Sequence, residues 1–233
     1  MANAFKVGGI TPFSASDYPG KLAAVIFVQG CPWRCGYCHN PHFQPRLPHS
    51  PVAWGDVLNL LERRHGLLDA VVFSGGEPTM DRDLEHALRD VRAMGFDTGL
   101  HTGGAYPRRL ESVLPLLDWV GFDVKALPSG YDAITQRRGS HFAAWQSLQL
   151  LLDSGIDYEC RTTVHSTLLS DKAISELAGM LAKMGVHTYA LQAFRTEGCS
   201  DESLNATASG HRFSESLLQT LRPLFRHLVV RQD

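Results

Sequence analysis

The stretch LEHALRDVRAMGFDTGLHTGG, Leu84–Gly104, contains one complete structural unit. Leu84, Ala87, Leu88, Val91 and Met94 recur at intervals of three and four, the period that lines one face of a helix. Gly95 follows, and a glycine just past a helix takes the left-handed capping conformation at little cost. Phe96–Thr102 then reads as a short strand, and the glycine pair Gly103–Gly104 opens a loop. The unit recurs along the chain. Trp54–His65 precedes Gly66 and DAVVFSGG, Phe142–Ser154 precedes Gly155 and IDYECRTTV, and Lys172–Met184 precedes Gly185 and VHTYALQAF. In the last of these helices Ile174, Leu177, Ala178, Leu181 and Met184 repeat the spacing, with Ser170 placed as N-cap.

One-sided helices alternating with brief apolar strands indicate a mostly parallel sheet in an α/β fold. Six strands are expected, over Leu22–Gln29, Ala70–Ser74, Phe96–Thr102, Trp119–Lys125, Ile156–Val164 and Val186–Gln192, with a weak seventh over Leu228–Arg231. Six βα units suit a partial (β/α)6 TIM-like barrel better than a closed eight-stranded one, and a doubly wound sheet is also open to this pattern. The expected organisation is a single domain over 1–233, with its core at about 20–195 and a helical extension at about 211–233.

Composition sets limits on function. Apolar residues make up 44% and charged residues 20% of the 233, as in ordinary globular proteins. The net charge is -2 and basic residues occur only in scattered pairs, which argues against a nucleic-acid polymer as partner. No apolar run approaches 18 residues and MANAFKVGGI has no secretory core, so the expectation is a cytoplasmic protein without a membrane span.

The unusual residues fall after strands. VQGCPWRCGYCHNPHF (Val28–Phe43) follows the first, SGGEPT the second and HTGG the third. Asp123 and Lys125 close the fourth, Arg161 lies in the fifth, and Gln192 ends the sixth. In α/β barrels that carboxyl end is where chemistry collects. Three of the five cysteines, Cys31, Cys35 and Cys38, sit in the first loop, which is no disulfide framework. Spacings of four and three let three thiolates converge. A zinc site needs a fourth ligand, for which His42 is better separated than His39. A [4Fe–4S] cluster held by three thiolates keeps one iron open for a ligand. An inert buried cluster of cysteines explains neither the spacing nor Pro32 and Gly36.

The CxxxCxxC loop Cys31-Pro-Trp-Arg-Cys35-Gly-Tyr-Cys38, with Gly75-Gly-Glu-Pro78, resembles the radical S-adenosylmethionine (SAM) superfamily. The triplet Cys38–Asn40 is similar to that of glycyl-radical-enzyme activases. The opening GGITPFSASDYPGKLAAVIFVQGCPWRCGYCHNP looks more narrowly like the activating proteins of anaerobic ribonucleoside-triphosphate reductases. The likeness runs from about Val7 to Phe194, and the narrower one rests on residues 8–41.

The resemblance implies a radical SAM core in which Cys31, Cys35 and Cys38 ligate a [4Fe–4S] cluster that chelates SAM and cleaves it reductively. It implies that Tyr37 lies near the adenine and that Gly75, Gly76 and Glu77 hold the methionine amino group. By the residues alone, Glu77 is also readable as a surface group or a loop orienter. Asp123 and Lys125 match a D-x-K near the methionine carboxylate, or simply pair with each other. Arg161 resembles a strand-five arginine of the formate-lyase activases, or makes a helix-facing salt bridge. His101 stands where those activases have a cation-binding aspartate, and either replaces the cation's charge or points away. The implied activity is hydrogen abstraction from a glycine of an anaerobic ribonucleoside-triphosphate reductase, with flavodoxin or ferredoxin as reductant. The alternatives are a small-molecule radical SAM enzyme such as 7-carboxy-7-deazaguanine synthase, and a zinc-binding interaction module.

Overall fold

The repeated unit folds as its spacing predicts. The computed structural model describes residues 5–208 and 212–232. Its strands are β1 (Val7–Ser14), β2 (Ala23–Val28), β3 (Ala70–Gly75), β4 (Asp97–Thr102), β5 (Trp119–Asp123), β6 (Asp157–Val164), β7 (Thr188–Ala193) and β8 (His227–Arg231). They form one sheet in sequential order, with β1 antiparallel to β2 and every later pair parallel. β1 and β8 are its edges, so the sheet does not close. The helices are α1 (Trp54–Glu62), α2 (Leu84–Ala93), α3 (Pro107–Val113), α4 (Pro128–Thr135), α5 (Ser140–Ser154), α6 (Asp171–Lys183), α7 (Glu202–Thr207) and α8 (Glu215–Leu221). The Ser170 hydroxyl accepts from the Ala173 N–H at 3.3 Å and caps α6.

Side chains alternate across each strand and divide the core in two. Ala24, Ile26 and Val28 of β2 and Val71 and Phe73 of β3 pack into the large core beneath the helices. Ala23, Val25, Ala70 and Val72 face the other way and meet Trp119 and Tyr18. Ala23, Ala70 and Trp119 begin their strands, so this second cluster fills the amino-terminal end of the sheet's inner face. Tyr18 arrives from the turn between β1 and β2, and its ring lies 5.1 Å from that of Trp119. Lys21 pairs with Asp97, and the Leu22 N–H donates to Asp69 Oδ2 at 2.9 Å. The turn is therefore a floor under the sheet. The inner face also carries Glu159, nearly buried, which takes both Arg231 Nη1 at 2.7 Å and Nη2 at 3.0 Å and ties β8 to β6.

The six strands expected from the sequence are β2 to β7. β1 is an addition: Gly8, Gly9 and Pro12 make its segment read as a turn. Pro12 is tolerated because β1 is an edge. The glycines have a packing reason, since a Cβ on Gly8 would lie 2.6 Å from the Phe43 ring. The C-terminal stretch expected as a helical extension holds α8 and then β8, which is the weak seventh strand expected over Leu228–Arg231 and a full member of the sheet that pairs from Thr188↔His227 to Gln192↔Arg231. Arg222–Leu224 forms a single tight turn around Pro223, which ends the helix, and the apolar run LVV that follows buries its Leu228 and Val230 side chains against the core. Residues 211 and 233 of that expectation lie outside the described residues.

Tyr18→Ala should remove the floor and leave a cavity beside Trp119, lowering unfolding free energy by about 3 kcal/mol. Urea denaturation followed by tryptophan fluorescence measures this. A loss below about 1 kcal/mol would show that the turn is not packed as described.

Candidate active site

The loop after β2 is pinned at its neck. The Gly30 N–H donates to Phe43 O at 2.7 Å and the Cys31 N–H to Gln44 O at 2.9 Å. Gln29 Nε2 donates to His42 O and Pro45 O. Phe43 stacks on Phe27 at 5.1 Å. Inside the loop a tight turn joins Cys35 O to the Cys38 N–H at 3.1 Å. Trp33 is buried edge-on against Tyr131, and the Arg34 N–H donates to Thr135 O, so α4 anchors the loop from outside.

The loop after β3 crosses this neck at contact distance. A Cβ on Gly76 would lie 2.3 Å from Gly30 O and 2.7 Å from Phe43 O; one on Gly75, whose φ is 113°, would lie 2.4 Å from the Val28 N. The glycine pair is thus required by the approach of two backbones, besides facing the cavity. Glu77 is a loop orienter. It is buried, and its Oε1 accepts from the Thr79 N–H, the Thr79 hydroxyl (2.6 Å) and the Thr102 hydroxyl (2.7 Å), while Oε2 accepts from the Gly103 N–H at 3.0 Å. Burial pushes its pKa up against the pull of those donors.

Asp123, Lys125, Arg161 and His101 meet on the inner face. Asp123 pairs with Arg161 Nε at 3.1 Å and more loosely with Lys125 Nζ at 3.8 Å. Burial opposes the Asp123 charge, but Arg161 and Lys125 hold its carboxyl below the usual range. Arg161 faces the barrel interior, not the helices, because β6 alternates and its neighbour Cys160 takes the core side. Lys125 Nζ lies 5.8 Å from the Trp33 ring centre and 5.7 Å from that of Tyr37. Burial works against its charge, yet Tyr37, Cys35 and Asp123 hold its pKa well above the lysine value. Burial, and then the nearby Arg161, push the His101 pKa down to about 4, so the ring is neutral at pH 7. Its Nε2–H donates to Asp17 O at 2.8 Å, since a carbonyl can only accept.

Cys31, Cys35, Cys38, Tyr37, Gly75, Gly76, Glu77, His101, Asp123, Lys125 and Arg161 all line one cavity of about 410 Å³. Sequence reasoning missed Asp17, Trp33, Thr163 and Arg195 in its wall. Arg195 lies two residues past the end of β7, and only the count from β7's end points to it. His39 lines the cavity, its Nε2 2.9 Å from Arg195 O, whereas His42, the better-spaced zinc ligand, turns its ring onto Phe43. Among the described residues no three His, Cys, Asp or Glu side chains close on a single point. Zinc requires its ligands to meet at one ion, whereas three thiolates of an iron–sulfur cluster each hold a different iron. Burial pushes Cys31 up to about 12 and raises Cys35, so as free thiols they are poor nucleophiles; a coordinated metal deprotonates a thiol outright. Three soft donors in one loop fit an iron–sulfur cluster.

A profile of the radical SAM superfamily matches residues 25–184. A putative glycyl-radical enzyme activating enzyme of Methanocaldococcus jannaschii is 30% identical over 204 residues, covering 84% of this chain and 82% of that one. The pyruvate formate-lyase-activating enzyme of Clostridium pasteurianum is 28% identical, covering 86% and 87%. Among solved structures, QueE from Escherichia coli superposes with a TM-score of 0.62 at 18% identity over 98% of this chain and 94% of that one, a likeness of fold. The chain belongs to the radical SAM superfamily. Its cofactors are accordingly a [4Fe–4S] cluster and SAM.

Gly76→Ala should reduce bound iron after anaerobic reconstitution by about tenfold, because the methyl must displace Gly30 and with it Cys31. Cys31→Ala, Cys35→Ala and Cys38→Ala should do the same, while Cys160→Ala and Cys199→Ala retain iron. Parental iron in Gly76→Ala or Cys35→Ala would contradict the assignment.

Proposed function

We propose that this protein activates a glycyl-radical enzyme by removing a hydrogen atom from one of its glycines, and that the target is an anaerobic ribonucleoside-triphosphate reductase. The observation that carries the reading is the 30% identity, over most of both chains, to a putative glycyl-radical enzyme activating enzyme. The choice of reductase is supported by the resemblance of residues 8–41 to the activating proteins of such reductases.

Cys31, Cys35 and Cys38 would hold the cluster, with Tyr37 beside the adenine of SAM. Lys125 offers a point positive charge to the methionine carboxylate, and backbone at Gly75–Gly76 faces the methionine ammonium. Glu77 keeps that backbone in place, and Arg161 fixes Asp123. Cluster and SAM together supply the hydrogen-atom acceptor. The reading has the protein working in the cytoplasm with flavodoxin or ferredoxin as reductant. Among the described residues no helix is long and apolar enough to cross a membrane.

Isotope transfer tests this. With protein, SAM, reductant and a reductase containing deuterated glycine, deuterium should enter 5′-deoxyadenosine and a glycyl doublet should appear in the reductase's spin-resonance spectrum. Deuterium transfer from a small pterin substrate, with none from reductase, would replace the activase reading by the small-molecule alternative.

A further inference from the structure

A second cavity of about 420 Å³ opens at the side of the sheet, between the β1–β2 turn and β8. It shares Arg161, Thr163 and Gln192 with the cofactor cavity, so a chain lying in one reaches the other. Two of its arginines are matched, Arg161 by Asp123 and Arg231 by Glu159, while Asp17 and Arg195 also line it. Thr163 and Gln192 are partly buried and, among the described residues, make no side-chain hydrogen bond. Neutral, unused donors and acceptors remain.

The outer wall is the edge of β8. The His227 N–H donates to His187 O at 3.0 Å, and the ladder pairs His227 with Thr188. In a parallel ladder a residue that bonds one neighbour is followed by one whose N–H and C=O turn to the other side. His227, Val229 and Arg231 therefore bond β7, and Leu228 and Val230 present their backbone outward. Val230 is partly buried against the core and is among the residues that line this cavity. Among the described residues no strand pairs with β8 on that side.

We propose that the β8 edge is the docking strand for the partner's glycine-bearing segment, which binds extended, adds to the sheet through Leu228 and Val230, and delivers its glycine past Thr163 and Gln192 to the cofactor cavity. The inference rests on the activase reading. An unpaired strand edge is a template for another backbone, and alternate pockets along it select side chains.

Val230→Pro tests the edge without breaking the ladder, because the N–H it removes faces outward, where strand proline is tolerated. Val230→Thr keeps that N–H. The probe is a blocked nonapeptide copying the reductase's glycyl loop, read by fluorescence anisotropy and by hydrogen exchange of β8. Val230→Pro should melt within about 2 °C of the parent. It should bind the peptide about tenfold more weakly, while Val230→Thr binds like the parent. In the parent, peptide should slow exchange at the Leu228 and Val230 amides. Unchanged affinity in folded Val230→Pro, no binding by the parent, or protection elsewhere but not at these amides overturns edge docking. Should Val230→Pro unfold, the exchange result in the parent decides. A glycyl radical formed by Val230→Pro at unchanged KM for the reductase removes the edge and leaves the activase reading. Absence of any radical with the parent removes the activase reading, while peptide binding still decides the edge.

Discussion

The backbones of Gly30 and Gly76 touch, and the arrangement of the cavity wall depends on that contact. A single Cβ at residue 76 would enter the Gly30 carbonyl. The contact is one link in a ring. Gly76 lies on Gly30, Glu77 binds Thr102 and Gly103, and a Cβ at Gly103 would lie 2.4 Å from the Trp33 ring, which belongs to the same loop as Gly30. Three loops from three strands thus fix one another without a regular element between them. Trp33 carries the linkage to Tyr131, whose hydroxyl lies 3.4 Å from both Asp123 O and the Lys125 N–H. A fourth loop is brought into register in this way, and the groups facing the cavity are held before any cofactor arrives.

The charged groups divide by how they are held. Glu77 is spent inside the wall, with four hydrogen bonds and no exposure to speak of. Asp123 and Arg161 neutralise one another at 3.1 Å. Lys125 is different: its carboxylate partner is 3.8 Å away, and its ammonium lies among aromatic rings that stabilise a cation without consuming its hydrogen bonds. Its donors are therefore only loosely engaged. His101, neutral and bonded to the Asp17 carbonyl, extends the floor up to Arg161, whose Nη1 lies 3.2 Å from the same ring nitrogen.

The repeated unit was legible because helix period, capping glycine and apolar strand are local signals, and β2 to β7 follow from them. The cysteine loop was legible because its spacing is short. What escaped has a non-local cause. Glycine and proline mark β1 as a turn by any local rule; Gln29 and Phe43, twenty and more residues away, explain Gly8. Glu77 carries nothing in the sequence to say that Thr102 and Gly103 will satisfy it. Tyr18 looks like a turn residue until Trp119 is placed above it. The direction of Arg161 was recoverable, since alternation against the core residue Cys160 turns it inward.

The two edges of the sheet are not treated alike. β1 carries Pro12, which lacks a donor, and its pairing with β2 is shifted between Val7 and Gly9 and again between Thr11 and Ser14. Both features blunt an edge. β8 has regular pairing, no proline and the run LVV; its protections are its five-residue length and the polar residues His227 and Arg231 at its ends. Natural sheets seldom leave such an edge open without covering it. Here the floor is shut by Tyr18, the edge is tied by the half-exposed Arg231 to the buried Glu159, and the gap beside it leads to the cofactor cavity. The Glu159–Arg231 pair that fixes β8 thus lies at the side of the sheet where the proposed extended segment would enter.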